Sequence, residues 1–401
     1  MRLLCVGNRY PPWATGGYET VFSGAVLALR AAGHRARVLS TVPDPSDRPS
    51  GQDREPDVHR HLHWYWRDHA FPQLGMRACV SLERANACTL RRHLVELAPD
   101  AVIWWAMGGM SLSLLAQVRR AEVPAVGVVG DDWMLYGPEV DRWTRRWRRG
   151  GALPARLAER SLGVPARLDL DRGAHWMFGS EYLRTSARGA GWRLPDAMVA
   201  HHGIDPQRFG WNEPGRWRWR LLYCGRLDPR KGIATAIEAL ALLPAQATLR
   251  IHGDGDPRHA AELAALAAEL GVSDRVRFQR SDLAEVAACY AEADAVLFPV
   301  RWREPWGLVP LEAMAVGRPV IASRAGGGAA EYLEEERNCL QFEPGDAASL
   351  AAAVRRLAGE QELRASLREG GRATAARFDD HTFHESLERE LCAAVRRGIA
   401  P

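Results

Sequence analysis

Two glutamates bracket an apolar loop in the stretch EPWGLVPLE, which runs from Glu304 to Glu312. The apolar residues that follow the loop predict a helix, and Pro310 is tolerated there only within the first helical turn. Carboxylates accept hydrogen bonds from vicinal hydroxyls, and the first amides of a helix attract anions. The stretch therefore predicts a site where Glu304 and Glu312 hold hydroxyls while the Leu308 and Val309 amides face an anion. Alternatively, Glu312 is an ordinary solvated helix residue.

A second candidate site lies in CGRLDPRKG, where Arg226 and Lys231 stand five positions apart on a loop that enters a predicted helix. Arginine offers a bidentate fork and lysine a compact charge, and the start of the helix adds its dipole. This combination favours binding of a diphosphate. The alternative is a solvated basic turn.

A third candidate follows the first predicted strand, where Gly16 and Gly17 directly precede a helix. Glycine lets the backbone approach a ligand closely, and the free amides of the helix start attract phosphate. The pair also fits a tight turn without a ligand.

Strand-like and helix-like patterns alternate along the whole chain, which is typical of a parallel sheet flanked by helices. The pattern restarts after a segment rich in glycine, proline and tryptophan, so we predict an α/β protein with two Rossmann-like domains that face each other across a cleft. Their boundaries are predicted at residues 1–205 and 206–380, and a helix over 381–401 packs back towards the first domain. Open sheets of this kind bind ligands at the carboxyl ends of their strands, where all three candidate sites lie.

Composition restricts the function further. The 401 residues include 25% charged and 47% hydrophobic residues and carry a net charge of +4, a balance too mild for a dedicated nucleic-acid binder. The seven cysteines are scattered, which fits a reducing cytoplasm and predicts neither disulfides nor a zinc site. Residues 101–118 are uncharged, but Gly108 and Gly109 interrupt them, so we predict a strand, a turn and a helix rather than a membrane span.

Three further patterns have ordinary structural explanations. The Asp-x-Asp pairs at 169–171 and 254–256 resemble Mg²⁺ ligands, but such short patterns recur by chance. His59, His61 and His63 alternate as on one face of a strand, yet no cysteine or acidic partner is evident nearby, so no metal site is predicted there. The arginine- and tryptophan-rich stretch 141–160 fits either peripheral contact with an anionic membrane or a solvated helix whose tryptophans pack on the core.

Several of these motifs together resemble the retaining glycosyltransferases of family 4, which have the GT-B fold. The similarity rests on GRLDPRKG, on EPWGLVPLE followed by AMAVGRPVIASRAGG, on GSEYLR and on HGIDPQRF. It spans nearly the whole chain and is strongest after residue 175. YPPWATGGYE, WAMGGMSLSLL and VVGDDW are similar to a bacterial subgroup active on polysaccharides or natural products.

The resemblance implies a role for each matching residue. Arg226 and Lys231 would grip the diphosphate of a nucleotide-sugar donor, and Glu312 would bind its ribose. The sugar being transferred would contact Glu304 and the loop amides from Gly307 through Leu308 to Val309.

On the side of the first domain, Gly16 and Gly17 would line the phosphate site. Family members often carry a histidine where this chain reads VVGDDW, so Gly130 or Asp131 falls at the histidine position. Asp131 or Asp132 would then orient the sugar, and Asp131 is the first candidate for a catalytic carboxylate beside Glu304. No metal or other cofactor is expected beyond the donor.

The predicted reaction is transfer of a sugar to a hydroxyl of a glycan, a lipid-linked saccharide or a natural product, in the cytoplasm or at the inner face of the membrane. A sugar-nucleotide epimerase on the same scaffold and a non-catalytic nucleotide-sugar binder are the alternatives. A glycosidase that uses Glu304 and Glu312 would leave the predicted phosphate-binding loop without a role.

Overall fold

The computed structural model describes residues 1–13, 16–44, 49, 55–67, 70–148, 152–280 and 285–399. The described strands are β1 (Arg2–Val6), β2 (Arg35–Thr41), β3 (Val58–Leu62), β4 (Ala101–Trp104), β5 (Ala125–Val129), β6 (His175–Phe178), β7 (Met198–Val199), β8 (Arg220–Cys224), β9 (Thr248–His252), β10 (Val276–Gln279), β11 (Ala295–Phe298), β12 (Val320–Ser323) and β13 (Cys339–Phe342). The described α-helices are α1 (Gly17–Ala31), α2 (Met76–Leu97), α3 (Ser113–Arg120), α4 (Trp133–Val140), α5 (Arg142–Arg148), α6 (Ala152–Leu162), α7 (Glu181–Gly189), α8 (Ile233–Ala241), α9 (Pro257–Glu269), α10 (Val286–Glu292), α11 (Leu308–Ala315), α12 (Ala347–Gly359), α13 (Gln361–Ala375) and α14 (Asp380–Ile399).

These elements form two compact units. The described part of the first comprises residues 1–13, 18–201 and 383–399, and that of the second comprises 16–17 and 202–382. The first unit holds the sheet β3-β2-β1-β4-β5-β6-β7 and the second holds β10-β9-β8-β11-β12-β13. All paired strands run parallel. The prediction of two parallel-sheet α/β domains is confirmed.

The central strands of both sheets are buried, as is usual for parallel sheets, whose crossover connections place helices over the faces. Every residue of β4, β5, β11 and β12 is buried, which explains why these strands read as continuous apolar runs. Residues 101–118 contain the predicted strand and helix, as β4 and α3. No helix among the described residues is both long and apolar enough to span a bilayer.

The last helix, α14, joins the first unit from Phe383 onwards. Its apolar face buries Phe383, Leu387 and Leu391. On its polar side Glu388 accepts a hydrogen bond from His34, with the His34 Nε2 and Glu388 Oε1 atoms 2.9 Å apart. The helix thus adds its core contacts to the unit that contains the start of the chain.

The glycine- and tryptophan-rich segment after residue 201 is part of the second unit rather than a free linker. The Trp306 indole donates to the His202 carbonyl oxygen at 2.9 Å. The buried Arg318 guanidinium donates to the Asn212 side-chain oxygen at 2.7 Å. Because buried polar groups need such partners, these bonds fix the path of the segment against the sheet.

Candidate active site

The basic loop, residues 225–231, connects β8 to α8 in the second unit. Asp228 organises it: its carboxylate caps the short 3₁₀ turn that begins at Pro229 and accepts from the Arg230 amide at 2.9 Å. The same carboxylate pairs with Arg230 at 2.7 Å and with Arg226 at 3.2 Å. The two guanidinium groups hold the pKa of Asp228 well below its usual range despite its partial burial. The loop therefore presents cations in fixed positions around one ionised carboxylate.

The Arg226 side chain has one buried donor without a hydrogen-bond partner among the described residues. Its backbone carbonyl accepts from the buried Tyr223 hydroxyl at 2.8 Å, which fixes the loop on β8. One terminal nitrogen reaches Asp228, but the buried Nε atom has no hydrogen-bond partner among the described residues. A buried N–H without a partner costs free energy. An anionic ligand is therefore a suitable partner for this side chain.

Lys231 and Glu304 form an ion pair. The Lys231 Nζ atom lies 2.8 Å from Glu304 Oε1 and 2.7 Å from Glu304 Oε2, so the ammonium contacts both oxygens. The Trp302 indole donates to Oε2 at 2.8 Å, and the Arg230 guanidinium lies 4.4 Å from the centre of the Trp302 ring. The side chains of Lys231 and Glu304 are only 18% and 11% exposed. Lys231, predicted to bind the diphosphate of the donor, thus contacts Glu304, predicted to bind its sugar.

Close backbone packing brings these two loops together. Gly232 has a φ of +69°, and a Cβ atom there would lie 1.8 Å from the Pro299 carbonyl oxygen. Only glycine fits such an approach. The Arg301 amide also donates to the Arg230 carbonyl at 2.7 Å. Since β8 and β11 are adjacent strands, the sheet places both loops at one edge.

The helix predicted after EPWG is α11, and it begins at Leu308, so Pro310 lies in the first turn as predicted. Gly307 precedes it with a φ of +86°, and its carbonyl accepts a hydrogen bond from the Tyr332 hydroxyl. The first amides of a helix lack partners within the helix. The backbone amides of Leu308 and Val309, at the start of α11, therefore lie beside the loop that carries Glu304.

Glu312 lies one turn into α11 and is partly buried rather than freely solvated. Its Oε2 atom accepts a hydrogen bond from the buried Tyr290 hydroxyl at 2.6 Å. Burial raises the pKa of Glu312, while the Tyr290 hydrogen bond and the charge of Arg208 oppose the rise. The structure thus brings Arg226, Lys231, Glu304, Gly307 and Glu312 to the carboxyl edge of the second sheet.

In the first unit, Asp131 and Asp132 follow β5, and Glu19 lies on α1. The Tyr136 hydroxyl donates to Asp131 Oδ2 at 3.0 Å, whereas the buried Oδ1 atom has no hydrogen-bond partner among the described residues. Burial raises the pKa of Asp131 to about 7; the Tyr136 hydrogen bond opposes the rise, and the charges of Asp132 and Glu19 add to it.

The glycines predicted to line a phosphate site start α1. Gly17 is its first residue, and both Gly16 and Gly17 are exposed. Residues 14–15, which precede them, lie outside the described residues. The placement at a helix start is confirmed, while the contact with phosphate stays a prediction.

The Asp-x-Asp pairs have structural partners. Asp169 pairs with Arg119 at 2.9 Å, and Asp171 accepts from the Arg193 amide at 2.7 Å. Asp254 pairs with Arg280 at 3.2 Å, and Asp256 caps α9. Within the described chain, neither pair belongs to a cluster of potential metal ligands.

The described part of stretch 141–160 forms α5 and α6. Trp143 is 1% exposed and donates to the Pro165 carbonyl at 2.7 Å, and Trp147 packs edge to face against it. The tryptophans therefore belong to the core, as the second interpretation of this stretch predicted. On α6, Leu153 and Leu157 are exposed instead, at 74% and 59%.

Sequence reasoning missed four side chains that organise the two sites: Asp228, Trp302, Tyr290 and Tyr136. It also missed one available signal, because Lys231 is the only lysine in the 401 residues and every other basic side chain except histidine is arginine. A single ammonium in such a chain indicates a position that a planar guanidinium does not suit.

Comparison with known proteins identifies the class. Residues 208–374 match the family of glycosyl transferases group 1. The chain is 29% identical over 384 residues to a glycogen synthase of Mycobacterium tuberculosis, with 88% of this chain and 85% of that protein covered. It is 37% identical over 188 residues to a D-inositol 3-phosphate glycosyltransferase of Jonesia denitrificans, with 43% and 44% covered.

The fold also matches solved structures. The crystal structure of Anabaena HepE in complex with UDP-glucose aligns with a TM-score of 0.72 at 21% identity, covering 98% of this chain and 100% of that one. The protein thus has two parallel-sheet α/β domains of the GT-B type. The family match and the named relatives support a transferase enzyme, a glycosyltransferase.

Proposed function

We propose that the protein is a retaining glycosyltransferase of family 4, which moves a sugar from a nucleotide-diphosphate sugar to an acceptor hydroxyl. The acceptor is a glycan, a lipid-linked saccharide or a natural product. The observation that carries the proposal is the convergence of Arg226, Lys231 and the start of α11 at one sheet edge. HepE, which shares the fold, has been solved with UDP-glucose.

The donor is proposed to lie along this edge. Arg226 and Lys231 neutralise the diphosphate, with the buried Arg226 Nε atom as one donor. Glu312, held by Tyr290, accepts from the ribose. Glu304 and the amides of Gly307, Leu308 and Val309 hold the sugar.

The first domain contributes the remaining donor contacts. Gly16 and Gly17 line the diphosphate through the start of α1. Asp131 or Asp132 orients the transferred sugar, and the unpartnered Oδ1 atom of Asp131 accepts one of its hydroxyls. Because the proposed donor site supplies cationic side chains and helix amides, transfer is proposed to need no metal.

Catalysis is proposed to rest on electrostatics. Positive charge develops on the sugar ring as the diphosphate leaves, and the fixed cations stabilise the growing negative charge. The departing phosphate takes the proton of the acceptor hydroxyl, so no side chain has to act as a nucleophile. Glu304 and Glu312 have different partners, Lys231 and Tyr290. This arrangement favours binding roles over a glycosidase pair.

A donor screen tests the proposal. Purified protein is heated with UDP-, GDP-, ADP- and dTDP-glucose, and release of nucleoside diphosphate is followed in parallel. The true donor is expected to stabilise the fold by about 3 kcal/mol at about 100 times its dissociation constant. If no nucleotide sugar of a wider panel stabilises the protein or is turned over, the proposed function is wrong.

The single lysine allows the donor to be located. Amine-specific reagents can modify only Lys231 and the chain's amino terminus. Bound donor is expected to slow modification of Lys231 but not of the terminus, which serves as the internal control. Equal rates with and without saturating donor would contradict a diphosphate contact at Lys231.

We also propose that the enzyme acts in the cytoplasm, peripherally at the inner face of the membrane. The exposed Leu153 and Leu157 on α6 lie one turn apart, and Arg156 and Arg160 beside them are also exposed. Exposed leucines with arginines suit the surface of an anionic bilayer. Co-sedimentation with anionic vesicles and its loss in Leu153→Ser/Leu157→Ser would support this. Equal binding of the variant would exclude α6 as the contact.

A further inference from the structure

Three imidazoles meet at the edge of the first sheet. His59 and His61 lie on the same face of the edge strand β3, and His93 reaches them from α2. The distances between ring centres are 4.9 Å for His59 and His93, 5.4 Å for His59 and His61, and 5.7 Å for His61 and His93. The sequence grouped His59 and His61 with His63, which lies after β3, and predicted no metal site there. In the structure His93, 32 residues after His61, completes a triangle instead.

The spacing of the ring nitrogens fits a metal. The His61 Nδ1 and His93 Nε2 atoms are 3.4 Å apart, and one nitrogen from each of the three rings lies within 4.8 Å of the others. Two imidazole nitrogens bound to one tetrahedral Zn²⁺ at about 2.0–2.1 Å are separated by roughly 3.4 Å. His61 and His93 already have this separation, and a small shift of His59 would bring in the third ligand.

An acidic partner orients the third ring. The His59 Nε2 atom lies 3.0 Å from Asp57 Oδ1. Metal-binding histidines commonly donate their other ring N–H to a carboxylate, which fixes the ring and increases its basicity. Asp57 can do this for His59 and leave its Nδ1 atom for the ion.

Two arginines have to give way to the ion. The Arg37 Nη1 atom lies 3.5 Å from His93 Nδ1, which must carry the ring proton if Nε2 is to bind a metal. Arg37 would then keep its other partners, Asp57 at 2.8 Å and Glu96 at 3.5 Å. Arg92 approaches His61 Nδ1 at 3.4 Å. Arg92 is exposed on α2, so its long side chain can turn away into solvent and free that nitrogen.

We propose that His59, His61 and His93 bind one divalent transition-metal ion of the Zn²⁺ type, with solvent at the fourth position. Imidazole ligands suit Zn²⁺, Co²⁺ and Ni²⁺ rather than Mg²⁺. The ion would connect the edge strand β3 to α2 and stabilise this side of the first domain. This site is separate from the proposed donor site and does not depend on it.

Cobalt provides the test. Chelator-treated full-length protein is titrated with Co²⁺ and then with Zn²⁺, and the visible absorption of tetrahedral Co²⁺ is followed. One equivalent of each ion is expected to bind, and Zn²⁺ is expected to displace Co²⁺ and raise the Tm. Donor-induced stabilisation is expected to be the same with and without the ion.

Variants assign the ligands. His61→Ala removes an exposed ligand and is expected to abolish the cobalt spectrum, whereas His63→Ala, an exposed histidine just after β3, is expected to leave it unchanged. Asp57→Asn is expected to weaken binding about 10- to 100-fold. Absence of binding up to 100-fold excess of ion over protein, or equal binding by His61→Ala and the wild type, would overturn the proposal.

Discussion

The two domains differ in how the charged side chains of their candidate sites are paired. At the sheet edge of the second domain, charged side chains neutralise each other: Lys231 pairs with Glu304, and Arg226 and Arg230 share Asp228. In the first domain, Asp131 has two acidic neighbours, only Tyr136 as a side-chain donor among the described residues, and one buried oxygen with no hydrogen-bond partner there.

This difference has consequences for how each site responds to a ligand. Paired charges hold their geometry, so the second domain presents cations in fixed positions, and the neighbouring arginines hold the pKa of Asp228 well below its usual range. An unpaired buried carboxyl changes protonation near neutrality instead. We therefore expect charge substitutions in the second domain to reduce activity at every pH. Substitution of Asp131 should reduce it in a pH-dependent way.

The largest effect is expected at Lys231. Lys231→Ala removes a cation that stabilises the leaving diphosphate, so the kcat for release of nucleoside diphosphate should fall about 100- to 1,000-fold at pH 6 and pH 8 alike. Lys231→Arg keeps the charge but exchanges a compact ammonium for a planar fork, and it should recover only a small part of this loss.

The ion pair requires a control, because Lys231→Ala also leaves the Glu304 carboxylate buried without its cation. Combining Lys231→Met with Glu304→Gln removes both charges and should restore much of the stability. Activity of the double variant should stay well below that of Glu304→Gln alone. Equal activities would mean that Lys231 acts only by neutralising Glu304.

The same contrast explains what could be predicted from the sequence. Local signals located the second-domain site: Pro310 in a first helical turn, and basic residues after a strand. The Lys231–Glu304 pair joins residues 73 positions apart, and only the pairing of β8 with β11 brings them together.

The first domain was harder to predict because burial determines its chemistry. Asp131 and Asp132 are adjacent and alike in sequence, yet burial raises the pKa of Asp131 to about 7. Trp143 and Trp147 could be read as an exposed aromatic face until Trp143 was seen in the core. Similarly, nothing local connects His93 with the histidines of β3. Such properties depend on three-dimensional packing, which no spacing rule encodes.

An intermediate effect is expected at Asp131. If its ionised form orients the sugar, wild-type activity rises with pH through about 7, and Asp131→Asn lowers kcat about 100-fold at pH 8. At pH 6 only about a tenth of the wild-type carboxyl is ionised, so the difference should shrink about 10-fold. Asp132→Asn removes a charge that raises the pKa of Asp131, so it should move the inflection to lower pH without abolishing it. An unchanged pH profile in Asp131→Asn would assign the inflection to another group.

The contribution of Asp131 to the stability of the fold should fall as the pH rises, whereas its contribution to activity should rise. The folded-state pKa of Asp131 is raised from 3.8 to about 7, so the folded protein binds this proton more tightly than the unfolded chain does. The resulting stabilisation is complete below about pH 4 and is lost as the pH rises through about 7. Asp131→Asn removes that loss, and its Tm should exceed the wild-type Tm most clearly at pH 8. A variant less stable than the wild type at pH 8 would contradict the burial argument.

The smallest effect is expected at Glu312, which combines features of both sites: a hydrogen-bond partner in Tyr290 and a pKa raised by burial. Glu312→Gln should weaken donor binding about 10-fold, equivalent to about 1.4 kcal/mol, with little change in kcat. Calorimetry between pH 5 and pH 8 measures the binding constant.

Wild-type affinity should fall towards pH 5 as the Glu312 carboxylate becomes protonated, because its pKa lies above 4.5. The Gln variant should show no such dependence. Tyr290→Phe removes the hydrogen bond that opposes the rise in pKa, so it should move the loss of affinity to higher pH. The shift to higher pH in Tyr290→Phe is expected only if the Glu312 carboxylate binds the ribose. If Glu312 only supports α11, the pH dependence of donor binding will be the same in the wild type, Glu312→Gln and Tyr290→Phe.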